Sequence, residues 1–268
     1  MIPNFSIITS QAGHRIPLLL HIPHSGKFIP PEVRRELLLD DGQLARELTC
    51  MTDAHTDELF AEGVALGGCA FINNISRLVV DPERFPNDED EIMSARGMGA
   101  VYCKTSDLKP LRSMKSYIAG RAKLLEDYYF PYAEALSALV CDCLAKYNCI
   151  LILDCHSFPS KPLPYEIDQE MKRPEICIGT DSYHTPKRFV DALLDVCHQN
   201  NITAELNRPF SGTYVPFYYY KKDERVNSFM IEVRRDLYLD ESTGGCLFSF
   251  NNVKRVVDQM IRTFVLEL

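Results

Sequence analysis

Apolar and polar positions alternate along this chain in blocks of two kinds. Short apolar runs of strand length recur at residues 16–22 (IPLLLHI), 69–73, 78–80, 149–153 (CILIL), 202–206 and 228–233. Between them lie stretches with helical spacing. These cover 31–39, 56–66, 111–146, 186–199 and a terminal amphipathic segment, 250–268. In the second, Leu59, Phe60 and Val64 form the apolar side and Gly67-Gly68 supplies a stop. The third contains Pro131, which should divide it into two pieces. The CILIL run has no polar interruption, the pattern of a parallel strand covered on both faces. Helices between strands imply right-handed crossovers. The expected fold is therefore α/β, with a mostly parallel central sheet and helices on both faces. No repeat, low-complexity tract or Gly/Ser linker divides the chain, which predicts one domain over residues 1–268. In such sheets the chemistry gathers beyond the C-terminal ends of the strands.

Composition narrows the function classes. A chain of 268 residues with 46% hydrophobic content can bury one large core. Its net charge is -8 and its Lys and Arg residues are scattered, so no nucleic-acid partner is expected. The start, MIPNFSIITSQAGHR, lacks a basic segment followed by an apolar run. No stretch approaches the roughly 18 apolar residues of a membrane span. These features predict no membrane partner and a cytoplasmic location. The ten cysteines form no C-x-x-C pair, and many, such as Cys69, Cys149 and Cys177, lie in apolar segments, as buried reduced thiols do.

Three predicted strands finish in polar clusters. His24 follows the first (LLLHIPHSG), where a Pro-Ser-Gly turn can aim an imidazole into a cleft; a structural histidine is the alternative. His21 still lies within that strand. Asp154-Cys155-His156-Ser157 follows CILIL, where burial penalises a charge and a histidine unless they serve as partners or ligands. Cys155 is a candidate nucleophile, but neighbours on a strand point to opposite sides, so His156 is poorly placed as its base. Glu232 enters the apolar strand SFMIEV. It is either a general base whose pKa burial raises, or one half of an ion pair with Arg234 or Arg235.

Residues 52–58 (TDAHTDE) sit at a helix start. Asp53 or Thr56 can cap the helix, while His55, Asp57 or Glu58 can supply a metal ligand. Two histidines and a carboxylate leave zinc an open position for activating water against an amide carbonyl, with Glu232 to move the proton. Arg77, Arg84 and Arg234 follow or enter strands, where a guanidinium can clamp a substrate carboxylate.

Six segments occur in one order along nearly the whole chain. They are PHSG (23–26), TDAHTDELF (52–60), SRLVVDPERF (76–85), DCHSF (154–158), NRPFSGTYVP from Asn207 and IEVRRDLYLD from Ile231. Together they resemble the N-formylglutamate amidohydrolase family. The resemblance implies a zinc-dependent hydrolase on a phosphorylase/hydrolase-like α/β fold, related in plan to zinc carboxypeptidases and cell-wall amidases. It also implies metal ligation by His24, Asp57 and His156, and catalysis by Glu232. The expected substrate is N-formyl-L-glutamate or a related N-acyl amino acid with a carboxylate, oriented by Arg77, Arg84, Asn207 and Arg234. The other readings are a zinc peptidase or wall-type amidase on the same fold, and a non-catalytic ligand-binding homologue. Residues 158–186 depart from the family pattern, although Gly179-Thr180-Asp181 keeps its turn, and are expected to shape the substrate pocket.

Overall fold

The computed structural model describes residues 2–11, 13 and 15–266. Its strands are β1 (Phe5–Thr9), β2 (Leu18–Ile22), β3 (Cys69–Asn73), β4 (Ile150–Phe158), β5 (Ile176–Gly179), β6 (Ala204–Leu206) and β7 (Val226–Arg234). They form a sheet in the order β1-β3-β2-β4-β7-β5-β6. The pairs β3/β2, β2/β4, β4/β7 and β5/β6 are parallel, while β1 on β3 and β5 on β7 run antiparallel. The sheet is thus mixed and mostly parallel, as the alternation of strands and helices predicts. The helices are α1 (Pro31–Arg34), α2 (Asp41–Met51), α3 (Thr56–Leu59), α4 (Glu62–Ala65), α5 (Met114–Leu124), α6 (Phe130–Tyr147), α7 (Lys187–Gln199) and α8 (Phe250–Val265). The expected last helix ran to 268; Glu267 and Leu268 lie outside the described residues.

Strand alternation sends side chains to two cores. Leu18, Leu20, Leu151, Leu153, Phe229 and Ile231 pack against Phe189 and Leu193 of α7 and Val257, Met260, Ile261 and Phe264 of α8. The intervening Leu19, Ile150, Ile152 and Val226 pack on the other face against Tyr132, Leu136 and Val140 of α6. Helices therefore cover both faces. Each fully buried aliphatic or aromatic side chain in these layers contributes about 1.5–3 kcal/mol.

Several expected elements are corrected. Residues 78–80 form a buried turn rather than a strand. The buried Arg112 side chain donates to the Leu78 carbonyl at 2.6 Å and to the Tyr102 carbonyl, so the turn needs no sheet partner. The 111–146 stretch begins in helix only at Met114. It divides at a π-helical turn, Leu125–Tyr129, and α6 then starts with Pro131 in its first turn, where a missing N–H costs nothing. The 31–39 and 56–66 segments give only short helices. Helix α2 packs Leu44, Leu48 and Met51, spaced i, i+4, i+7, into one cluster, and its start is set by the sequence before it. That start is a capping box in which Asp40 accepts from the Gln43 amide and Gln43 returns the bond.

Candidate metal centre and substrate cleft

Strand β4 does not stop at CILIL but runs on to Phe158. The face of β4 that carries Ile150 and Ile152 under α6 therefore continues into Asp154 and His156, while Cys155 joins the opposite core. Parallel register sets His21 beside Asp154 and Glu232 beside His156. His24 arrives from the turn after β2. There Gly26 is obligatory, because a Cβ would meet the Asn73 and Asn74 backbone at 2.5–2.7 Å. The Asp53 amide donates to the His24 carbonyl at 3.0 Å and ties the end of α2 to that turn.

The two imidazoles face one another, with Nδ1 to Nδ1 at 3.3 Å. Asp53 Oδ2 lies 3.1 Å from His156 Nδ1 and 3.7 Å from His24 Nδ1. On the opposite edges, His24 Nε2 meets Asp81 Oδ1 at 2.9 Å, and His156 Nε2 meets Asp154 Oδ1 at 3.0 Å and Glu83 Oε1 at 3.2 Å. Asp81 is fixed in turn by Arg77 Nη2 at 2.7 Å and by the Tyr102 hydroxyl. Asp154 accepts from the Tyr214 amide at 2.9 Å and contacts His21 Nδ1 at 2.8 Å, whose Nε2 meets the Tyr132 hydroxyl at 2.8 Å. In a neutral imidazole, carboxylates on the outer Nε2 edges can hold the proton there, which would turn the inner Nδ1 lone pairs towards a cation beside Asp53.

Donors on a tetrahedral zinc ion at 2.0–2.1 Å stand about 3.3–3.4 Å apart, close to the spacing of these two Nδ1 atoms and Asp53 Oδ2. Two further groups have ligand atoms within 4.8 Å of one another: His24 with Glu83 and His156, and His21 with Glu83 and Asp154. In both, the imidazole edges already engage buried carboxylates or Tyr132, so the Nδ1 set with Asp53 fits a cation better. The electrostatics agree. Burial works against a charge on either histidine, yet surrounding carboxylates, Asp81 and Glu83 for His24 and Glu83 and Asp154 for His156, raise both pKa values above the usual histidine range. Burial likewise disfavours the Asp53 carboxylate, but the two histidines and Arg235 hold it well below the usual range. The acids around the two histidines favour positive charge there.

Glu232 stands at the same sheet end. Its Oε2 is buried with no hydrogen-bond partner, and burial, followed by the repulsion of Asp53, raises its pKa to about 8 against the pull of His156 and Arg235. These groups open into a cleft of about 980 Å³. Arg77, Arg84 and Arg235 reach it, together with Glu83, Tyr129, Tyr165 and the 210–220 segment. Arg235 gives its guanidinium to Asp53 Oδ1 (2.7 Å), Ser157 Oγ (3.2 Å) and the Cys50 carbonyl. Arg84 has a buried Nε without a hydrogen-bond partner.

The structure thus brings His24, His156, Glu232, Arg77 and Arg84 to one cleft. Asp57 is exposed at the start of α3 and does not line it, and Asp53, four residues earlier, is the acid that faces the histidines. Asn207 is exposed and bonded to Thr180. Arg234 points along its strand end to Asp236 and the Arg173 carbonyl. Neither lines the cleft. Strand β7 ends at Arg234, and Arg235 opens a 3-10 turn that carries its side chain inward to Asp53. Tyr165 is the contribution of the divergent 158–186 segment, while His184 is held structurally by the Val226 carbonyl and the Lys221 amide. Cys155 is fully buried, and burial pushes its thiol well above the usual range, which suits packing rather than nucleophilic attack. Asp53, Asp81, Glu83 and Arg235 were not singled out as site residues by sequence; their only signal was membership of the TDAHTDELF, VVDPERF and VRRD motifs.

Residues 16–239 match the sequence profile of N-formylglutamate amidohydrolase. The chain is similar to the N-formylglutamate deformylase of Pseudomonas aeruginosa, 27% identical over 85% of this chain and 84% of that protein. A second N-formylglutamate deformylase, from Pseudomonas putida, is 25% identical over the same shares. The fold is similar to that of the N-formylglutamate amidohydrolase of Ralstonia eutropha JMP134, with a TM-score of 0.82, 21% identity and coverage of 99% of this chain and 98% of that one. With the family profile spanning most of its length, the chain belongs to the N-formylglutamate amidohydrolase family.

Proposed function

We propose that this protein is a metal-dependent amidohydrolase that cleaves the amide of an N-acyl amino acid, N-formyl-L-glutamate or a relative bearing a carboxylate. The observation that carries the reading is the convergence of His24 Nδ1, His156 Nδ1 and Asp53 Oδ2 beside a Glu232 oxygen with no partner. Asp53 takes the acidic role that the family resemblance implies for Asp57. The three would hold one divalent ion, zinc by the mixed nitrogen and oxygen donors. When bound, such an ion supplies Lewis-acid chemistry that acidifies water and polarises the amide carbonyl.

The chain's own residues supply the rest. Glu232 Oε2 accepts a proton from the attacking water and passes it to the departing amide nitrogen, so that amide and water leave as a carboxylic acid and an amine. Its burial keeps proton affinity high enough for both transfers near neutral pH. Arg84, whose Nε makes no hydrogen bond although Asp81 lies 3.7 Å away, holds the substrate carboxylate, while Arg77 is a positioning residue that fixes Asp81 behind His24. Ten unpaired cysteines suit a reducing, cytoplasmic setting. Among the described residues no helix is long and apolar enough to cross a membrane.

The test combines metal analysis with turnover of N-formyl-L-glutamate, other N-acyl amino acids and short peptides. The expected result is one ion per chain, hydrolysis that stops on chelation, and a Glu232→Gln variant that keeps its metal but loses turnover. Preference for peptides would move the assignment to a peptidase, and a metal-free, inactive but ligand-stabilised protein would move it to a binding homologue.

A further inference from the structure

N-formyl-L-glutamate carries two carboxylates and no large apolar group, whereas this cleft offers little unengaged positive charge and an extensive aromatic wall. Of the three arginines lining it, Arg77 is committed to Asp81 and Tyr102, and Arg235 to Asp53, Ser157 and the Cys50 carbonyl. Arg84 has a buried Nε without a hydrogen bond, but its guanidinium already stands 3.7 Å from Asp81 and 3.8 Å from Glu91. No lysine lines the cleft among the described residues, whereas Asp53, Glu83, Asp90, Glu134, Asp154 and Glu232 do. One substrate carboxylate can share the Arg84 guanidinium with Asp81 and Glu91. A second would be desolvated among acids with no cation left to meet it.

The same cleft is walled by exposed rings, one of which, Phe217, has the Lys222 ammonium 5.1 Å from its centroid. Phe85, Phe130, Phe217 and Tyr218 are 41%, 43%, 70% and 74% exposed, and all four line it. Phe85 and Phe217 stand edge to face with centroids 6.4 Å apart. This wall adjoins the carboxylate clamp, since Phe85 follows Arg84 directly and the Tyr129 hydroxyl donates to the Arg84 carbonyl at 2.9 Å. An α-carboxylate on Arg84 and a side group against the rings are two branches of one α-carbon. At about 980 Å³ the cleft is at the upper end of sites that enclose drug-sized ligands.

We infer that the amine half of the preferred substrate is a monocarboxylate amino acid with a large apolar, aromatic side chain, bound with its carboxylate on Arg84 and its ring against Phe85 and Phe217. The inference rests on the amidohydrolase reading but is separable from it.

The experiment compares N-formyl-L-phenylalanine with N-formyl-L-glutamate on the metal-loaded wild type and on Phe217→Ala and Phe217→Tyr. It adds equilibrium binding of L-phenylalanine and L-glutamate to metal-loaded Glu232→Gln. The expected kcat/KM ratio favours the phenylalanine substrate by at least about tenfold, the effect of burying one aromatic side group. Phe217→Ala should collapse that ratio and Phe217→Tyr preserve it. A ratio near unity, a preference for glutamate, or a ratio unmoved by Phe217→Ala overturns the inference. If neither compound is hydrolysed, the amidohydrolase reading fails and the binding comparison decides alone. Tighter phenylalanine then supports the inference, and equal or tighter glutamate overturns it.

Discussion

Replacing Glu232 by glutamine separates what this side chain does for chemistry from what it costs the fold. The two side chains have nearly the same shape, so strand β7 should be undisturbed. Turnover should fall by about 10²–10⁴-fold or more, the usual contribution of a positioned proton carrier. Stability should move the other way. Burial raises the folded-state pKa from 4.5 to about 8, so between those values the native protein keeps a proton that the unfolded chain has released. Native stability therefore falls as pH rises through that window. It is unaffected below about pH 4.5, where both states are protonated. At about 1.4 kcal/mol per pH unit the full cost is roughly 4–5 kcal/mol, and water entering the open cleft would reduce it to on the order of 2–3 kcal/mol. Glutamine removes this cost. Chelator-treated wild type and Glu232→Gln should melt together near pH 5 and diverge towards pH 8, with the variant the more stable. Coincident melting at every pH, or a less stable variant at pH 8, would refute the reasoning that Glu232 is a desolvated, poised base.

Other perturbations test the surrounding groups. Asp53→Asn should abolish stoichiometric metal binding, whereas Asp57→Asn, at an exposed position, should leave metal content and turnover near wild type; elemental analysis and a formylglutamate assay distinguish them. Asp81→Asn removes the carboxylate behind His24 Nε2 and should weaken metal affinity by about 10–100-fold, read by competition with a chromogenic chelator. Arg84→Ala should raise KM far more than it lowers kcat for a carboxylate substrate, with little change for the corresponding amide. Leu153→Ala opens a cavity in the core against α8 and should cost about 2–5 kcal/mol in denaturant unfolding.

The hydrophobic pattern carried the strands and the location of the chemistry because burial dictates both. Central strands covered on two faces must be apolar, so polar residues at their ends stand out, and His24, His156 and Glu232 were visible for that reason. The exact partners were not visible. Asp53 and Asp57 share one short polar segment, and only the path of the chain out of α2 turns the first towards the histidines and the second to solvent. Arg234 ends β7 and Arg235 opens a 3-10 turn, and that change of backbone path sends only the second into the cleft. Asn207 lies in a matching motif but bonds Thr180 outside the cleft. Residues 78–80 look like a strand because they are buried, but Ser76 takes the Leu78 and Val79 amides and the distant Arg112 the Leu78 carbonyl, which no local pattern reveals. Edge strand β1, with its exposed Ile7 and Ile8, lacks the alternation that a half-buried strand would show.

In the proposed site, three donors from separate segments share one cation through the inner edges of the two imidazoles. A crystal structure of the zinc-loaded protein tests it most directly. One ion bonded at about 2.0–2.1 Å to His24 Nδ1, His156 Nδ1 and Asp53, with Glu232 facing its open side, is the predicted result. An ion held through the Nε2 edges by Glu83, or seated away from either histidine, would contradict the account.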